Sequence, residues 1–443
     1  MFNKIFKSCF LKENNFYAYF TTLIYALFVF LWHETNNALP TSDAITYLEH
    51  SYSQYYVFKE DGIIQGIINL YSSRGWRPQI YPIFITPVLI VTNGDALLTI
   101  TIISTFFSGF LTYILYKLLN MELSNSYASV LTLFILVTPT IYNTYLSFFS
   151  EIIYLPLALS FFYFLLKSEN FSNARYTKFS AIFLALTLCV RPAEAILFML
   201  AIIPFIFFSY KKNIVTAESI LSSVNIFIIT ILLIFYITYV LPHNKPYLYL
   251  TIIICLSLLY FLLKFFRTDL YKSNNFIQFS AITCFIGFIY WIPAIDKLLI
   301  WTVEASSGSV AKSLAWHFRS SSFITLYNEF IRSYGHIILP LLLTFPIIFF
   351  KKNLRSIRSE KMIIIFLSSF LLIIFLFLSY SYFLNDGQIT RRLLLPFFLL
   401  SILLSWLFFN KNIKYSKFSL LLIFCLTSYS FIYIYSQSIK DEY

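Results

Sequence analysis

Asp43, Arg74 and Arg77 are the residues of this chain best suited to chemistry. They share one polar stretch between two hydrophobic blocks, from Thr41-Ser42-Asp43-Ala44 to Arg77-Pro78-Gln79-Ile80-Tyr81-Pro82. A carboxylate placed there can accept a proton as a general base. A guanidinium offers a planar fork of donors that matches phosphate oxygens. Asp43 has two readings. At the start of a surface helix, with Thr41 and Ser42 as caps, it would complement the helix dipole. As a base it would work at a membrane boundary. Tyr47 and His50 follow at i+4 and i+7, so the three share one helical face. His50 reads as a surface residue or as a member of that site. Arg74 and Arg77 flank Gly75-Trp76 and either anchor to anionic lipid headgroups or hold a phosphate in a defined place. Pro78 and Pro82 fix the backbone beside Arg77, which favours the defined place.

Other charges interrupt apolar runs. Arg191 and Glu194 stand between Leu184–Cys189 and Ile196–Ile206. They read as a structural pair at i, i+3 with Pro192 making a turn, or as functional ions, because charge within a membrane is costly unless paired or hydrated. Glu151 opens an apolar run, as its cap or as part of a site. Arg391 and Arg392 begin another run on the expected outer side. That goes against the usual placement of basic residues and implies a ligand for the charge.

The elements that must position these residues follow from composition. The chain has 443 residues, 59% hydrophobic and 12% charged, too greasy for a soluble globule of this size. Apolar runs of about 18 residues or more recur along it, each long enough to span a bilayer as a helix. The spacing predicts about thirteen spans, at roughly 16–33, 95–119, 124–142, 150–167, 176–191, 193–210, 217–241, 247–266, 276–295, 336–350, 361–382, 391–409 and 417–436. Amphipathic segments near 43–58 and 62–72 are too polar to span and should lie along the membrane surface. The stretch 78–92 carries Pro82 and Pro87 and is short for a span, so it reads as interfacial or re-entrant.

Net charge is +12, which on a soluble protein would point to nucleic acid. Here the basic residues cluster between spans, as at Lys351, Lys352, Arg355, Arg358 and Lys361. With a cytoplasmic N-terminus, 20 of the 32 Lys and Arg fall inside, and 14 of the 20 Asp and Glu fall outside. This asymmetry supports that orientation and makes nucleic acid an unneeded partner. It also puts Asp43, Arg77, Glu151, Arg191 and Arg391 on one face, with both long loops, 34–93 and 296–335, outside. The five cysteines show no metal-ligand or disulfide spacing. Lys4, Lys7 and Lys12 precede the first apolar run with no small-residue cleavage site, so a retained first span is expected.

Taken together, these motifs resemble the GT-C class of integral-membrane glycosyltransferases, of the dolichyl-phosphate-mannose-protein mannosyltransferase type. The resemblance is carried in order by Ser42-Asp43-Ala44-Ile45-Thr46-Tyr47, Arg77-Pro78-Gln79-Ile80-Tyr81-Pro82, Ser150-Glu151, Arg191-Pro192-Ala193-Glu194 and Arg391-Arg392-Leu393-Leu394-Leu395-Pro396. It covers about 16–210, with a weaker echo at 385–409. Three departures occur: Gln79 replaces a second proline, Ala193-Glu194 replaces Glu-Gly, and Arg392 stands where an aromatic is usual.

The resemblance implies an all-α polytopic bundle, a single transmembrane domain over 1–443 with juxtamembrane helices in the outer loop. It implies a multi-pass protein of the bacterial inner membrane whose active site faces the extracytoplasmic side. The donor would be an undecaprenyl-phosphate sugar and the acceptor a cell-envelope glycan or glycolipid. Asp43 would be the catalytic base. Arg74, Arg77, Arg191, Arg391 and Arg392 would be the candidates to bind the donor phosphate. Tyr47, Tyr81, Glu151 and Glu194 would orient sugar hydroxyls or the arginines. No cofactor is implied, and no DxD-like carboxylate cluster requires a divalent metal. Three other readings remain open: an O-antigen polymerase with a diphosphate-linked donor, a lipid-linked glycan flippase, and a structural subunit. A flippase should line a cavity with charge from both sides, whereas these charges gather on one. A structural subunit would not need outer-face arginines inside apolar runs.

Overall fold

A computed structural model of the chain describes residues 13–36, 43–72, 80–146, 148, 151–190, 195–240, 275–291, 360–361, 363–369, 371–372 and 394–409. The described elements are helices, with no strand among the described residues. In chain order they are α1 (Glu13–Thr35), α2 (Asp43–Glu60), α3 (Gly62–Ser72), α4 (Ile80–Val91), α5 (Ala96–Leu119), α6 (Asn125–Leu136) and α7 (Pro139–Leu146). There follow α8 (Glu151–Lys167), α9 (Ala174–Val190), α10 (Ala195–Lys211), α11 (Ala217–Val240), α12 (Asn275–Trp291) and α13 (Leu394–Phe409). The expected all-α class is therefore present. The expected outer loop at 34–93 carries three helices, α2, α3 and α4. The second outer loop, 296–335, lies outside the described residues.

Among the described residues, two helical segments are long and apolar enough to cross a bilayer: Phe16–Thr35 and Ala96–Leu119, with mean hydropathies of 1.4 and 1.8. That is fewer than the thirteen expected. The expected spans at 247–266, 336–350 and 417–436 lie outside the described residues. Others are represented by shorter apolar stretches, such as Asn125–Leu136 and Leu394–Trp406. One expectation is corrected outright. The span read at 124–142 is not continuous; it breaks into α6 and α7. The cause is Pro139, which has no N–H for the carbonyl of Ile135 and crowds it. Thr138 covers that carbonyl instead, donating from its N–H at 3.2 Å and from its hydroxyl at 2.7 Å. The hydroxyl of Tyr25 on α1 donates to the next carbonyl, of Leu136, at 3.2 Å.

The chain divides into two compact units. One comprises Met1–Tyr52, Ile85–Leu159 and Ala315–Tyr443; the other comprises Ser53–Phe84 and Ser160–Leu314.

In the first unit α1 lies against α5. The inward side of α1 is Ala18, Thr21, Tyr25 and Val29, all buried. The close approach uses small residues, as helix pairs in membranes do. A Cβ on Gly109 would stand 3.6 Å from both the Ala26 Cβ and the Thr22 Cγ2. The opposite side of α1 is apolar yet exposed: Phe16, Phe20, Leu23, Leu27 and Leu31 are each half exposed or more. An exposed apolar stripe of this kind marks a surface that meets a membrane or a partner. By contrast, α13 is buried on every side. From Leu394 to Trp406 each residue except Leu400 is buried, as befits a helix that is apolar all round. The Trp406 Nε1–H donates to the Leu119 carbonyl at the end of α5, at 3.2 Å.

In the second unit α12 packs beside α9, with the Thr283 hydroxyl donating to the Ala181 carbonyl at 3.4 Å. The turn between α8 and α9 is unusual. Glu169, Asn170 and Phe171 have φ of 51°, 58° and 69°, a left-handed run that L-residues resist. Three helices hold it there. Ser168 at the end of α8 accepts from the Phe171 N–H at 3.1 Å. Ser209 of α10 donates to the Asn170 carbonyl at 2.8 Å. Asn275 of α12 donates to the carbonyls of Phe171 and Ser172 at 2.6 and 3.0 Å. The Phe171 ring meets those of Phe276 and Phe279 edge-on.

The second unit also holds the hairpin that α3 makes with the part of α2 from Ser53 onward. Its tight turn uses Gly62 at φ 84°. Asn69 donates to the Gln54 side-chain carbonyl at 3.1 Å, and Gly66 lies directly on the Phe58 ring. The polarity of α3 is the reverse of a soluble amphipathic helix. Gly66 and Asn69 face the partner helix, while Ile63, Ile64, Ile67 and Ile68 point away, 71%, 77%, 57% and 51% exposed.

Candidate active site

Asp43 is the first residue of α2. The helix is seated by a buried face of Ala44, Leu48, Ser51 and Tyr55, spaced at i, i+4, i+7 and i+11. Tyr47 and His50 are half-buried at its margin, on the face that the sequence predicts for Asp43. Two polar contacts within the first unit fix α2 in position. The Thr86 hydroxyl of α4 donates to the Ser51 carbonyl at 3.4 Å. The Tyr52 hydroxyl donates to the Gly94 carbonyl, in the turn after α4. The base candidate thus heads a helix tied to its neighbours by side chain to backbone bonds.

Glu151 opens α8 and is 1% exposed. A carboxylate in the first helical turn faces the positive end of the dipole. The head of α8 is itself clamped. Pro156 lies inside the helix and cannot donate to the carbonyl of Ile152, four residues back. The buried Tyr145 hydroxyl of α7 donates to that carbonyl at 3.3 Å. The Tyr145 backbone carbonyl in turn receives His33 Nε2 of α1 at 3.3 Å. A carbonyl only accepts, so His33 carries its proton on Nε2. Three elements, α1, α7 and α8, therefore meet beside Glu151.

Neither Tyr145 nor His33 figures in the sequence reading. The signal that leads to Tyr145 is Pro156 inside an apolar run, because a proline orphans one carbonyl and something must satisfy it. Tyr145→Phe should cost about 1–3 kcal/mol of stability, the usual penalty for a buried acceptor left without a donor. Pro156→Ala supplies the missing N–H, so the cost should shrink markedly in that background. Thermal unfolding of the four proteins in detergent checks this; an equal cost in both backgrounds would count against the clamp.

Tyr81 is buried in the second unit at 1% exposure, near the start of α4. Arg74, Arg77, Arg191, Glu194, Arg391 and Arg392 lie outside the described residues. Residues 151–162 of α8 are all buried, as are 394–399 of α13. Among the described residues no three His, Cys, Asp or Glu gather closely enough to hold a metal ion. No protein-family model matches the chain, and no curated protein or solved structure matches it.

Proposed function

We propose that the protein is an inverting membrane glycosyltransferase that takes a sugar from undecaprenyl phosphate on the extracytoplasmic side of the bacterial inner membrane and delivers it to an envelope glycan or glycolipid. Several membrane-spanning helices would carry it, with α2 and α3 on the membrane surface. The observation that carries this reading is Glu151, a carboxylate 1% exposed in an otherwise apolar helix, where charge is costly unless it serves a site. The exposed apolar stripe of α1 and the outward isoleucines of α3 support the membrane part.

In the reaction, the acceptor hydroxyl attacks the anomeric carbon and Asp43 takes its proton. The bond from that carbon to the phosphate oxygen breaks. Undecaprenyl phosphate leaves with the electron pair, its charge met by arginine forks. Displacement in one step inverts the anomeric centre. Glu151 and Glu194 hold the sugar or the arginines. A lipid-borne donor suits a compartment without nucleotide sugars.

Incubation of the purified protein with labelled undecaprenyl-phosphate sugars and envelope glycolipids tests the proposal. Release of undecaprenyl phosphate with labelled acceptor is expected. Release of the diphosphate would mark a polymerase instead. Movement of intact lipid-linked glycan across vesicles without cleavage would mark a transporter.

A further inference from the structure

We infer that the end of the second unit where α8, α9, α10 and α12 meet binds anionic phospholipid headgroups. The inference rests on the membrane part of the proposal above but not on its chemistry. The left-handed turn at Glu169–Phe171 is the keystone. Ser209 and Asn275 bind its carbonyls, so the C-terminal end of α10 and the N-terminal end of α12 are drawn to the α8–α9 turn. That brings together Lys167 at the end of α8, Arg175 and Lys178 in the first turns of α9, and Lys211 at the end of α10. All four are exposed, and none forms an ion pair among the described residues. Lys212 adds a fifth cation, against two exposed acids at this end, Glu169 and Glu218.

The residues next to these cations identify the partner. On α10, Ile203, Phe207 and Tyr210 are 50%, 62% and 55% exposed. Their spacing of i, i+4 and i+7 makes a stripe that ends at Lys211. On α11, Leu221, Val224, Phe227 and Ile228 are all exposed. On α9 the Arg175 guanidinium lies 5.8 Å from the centre of the exposed Phe179 ring. The order along α10 is apolar, then aromatic, then cationic, which matches hydrocarbon, interface and headgroup. A soluble polyanion such as nucleic acid or an acidic protein would satisfy the cations but leave the apolar stripes in water. An anionic amphiphile satisfies both.

The full chain, reconstituted in phosphatidylcholine vesicles containing phosphatidylglycerol, provides the test, with retained lipids identified by native mass spectrometry. Phosphatidylglycerol should be retained in preference to phosphatidylcholine, and less so as salt rises. Each cation near an anionic surface is worth on the order of fivefold in affinity. The variant Lys167→Gln/Arg175→Gln/Lys178→Gln/Lys211→Gln should therefore lose at least about tenfold of the preference. The charge-matched variant Lys4→Gln/Lys7→Gln/Lys12→Gln/Lys414→Gln should keep most of it. Incorporation of the wild type without a salt-sensitive preference would overturn the inference while leaving the membrane reading intact. Equal loss in the two variants would overturn it too, by removing the location. Failure of the wild type to enter vesicles of either lipid would remove both. The wild-type salt series needs no variant, so a substitution that fails to fold does not rescue the idea.

Discussion

Asp43→Asn is expected to lower sugar transfer by roughly 10²–10⁴-fold, the usual worth of a positioned general base. The substitution keeps shape and removes charge. Asparagine caps a helix nearly as well as aspartate, and Asp43 is the first residue of α2, so the helix should form unchanged. Other residues seat the helix. Ala44, Leu48 and Ser51 bury its inner face, and Thr86 and Gly94 are bonded to its middle. Donor binding should therefore survive, and the loss should appear in kcat rather than in KM. The measurement is release of undecaprenyl phosphate at saturating donor, with donor affinity measured separately. Transfer near the wild-type rate would mean that Asp43 only complements the helix end, and the base would have to be sought elsewhere.

Gly66→Leu is expected to open the α2–α3 hairpin. A Cβ at Gly66 would stand 2.5 Å from Cγ and Cδ1 of Phe58 and 2.7 Å from Cε1, closer than real atoms approach. Replacing glycine in mid-helix normally gains roughly 1 kcal/mol of helix propensity. Here overpacking should outweigh that, at about 1–3 kcal/mol and more for leucine than for alanine. Phe58→Ala should restore closure, because the three nearest atoms all belong to that ring. A direct readout uses Gln54→Cys with Asn69→Cys, whose native side chains touch at 3.1 Å. With the five native cysteines replaced, this pair should cross-link readily. It should stop doing so with Gly66→Leu, and resume when Phe58→Ala is added. Cross-linking unaffected by Gly66→Leu would show that the helices need not approach so closely. Transfer should fall with closure, since α2 carries Asp43.

Helix positions were largely legible in the sequence because runs of apolar residues force the chain to satisfy its backbone internally. The break between α2 and α3 falls where the amphipathic segments 43–58 and 62–72 part. The break at Pro139 is not legible in the same way, because apolar content alone does not reveal a missing N–H, and 124–142 reads as one span. Local sequence singled out Glu151, a charge in an apolar run that the structure buries, and Asp43, in the polar stretch beyond the first apolar run. It could not reveal Tyr145, whose value comes from a carbonyl that Pro156 orphans on another helix. Nor could it reveal that α3 turns Gly66 and Asn69 inward and its isoleucines outward. Sequence by itself determined which segments are helices and where charge is out of place, because propensity, periodicity and desolvation act locally. Tertiary structure alone decided which carbonyls, rings and cations meet, as with Ser209 and Asn275 on the Glu169–Phe171 turn. Those meetings join residues far apart in the chain, and only packing brings them within bonding distance.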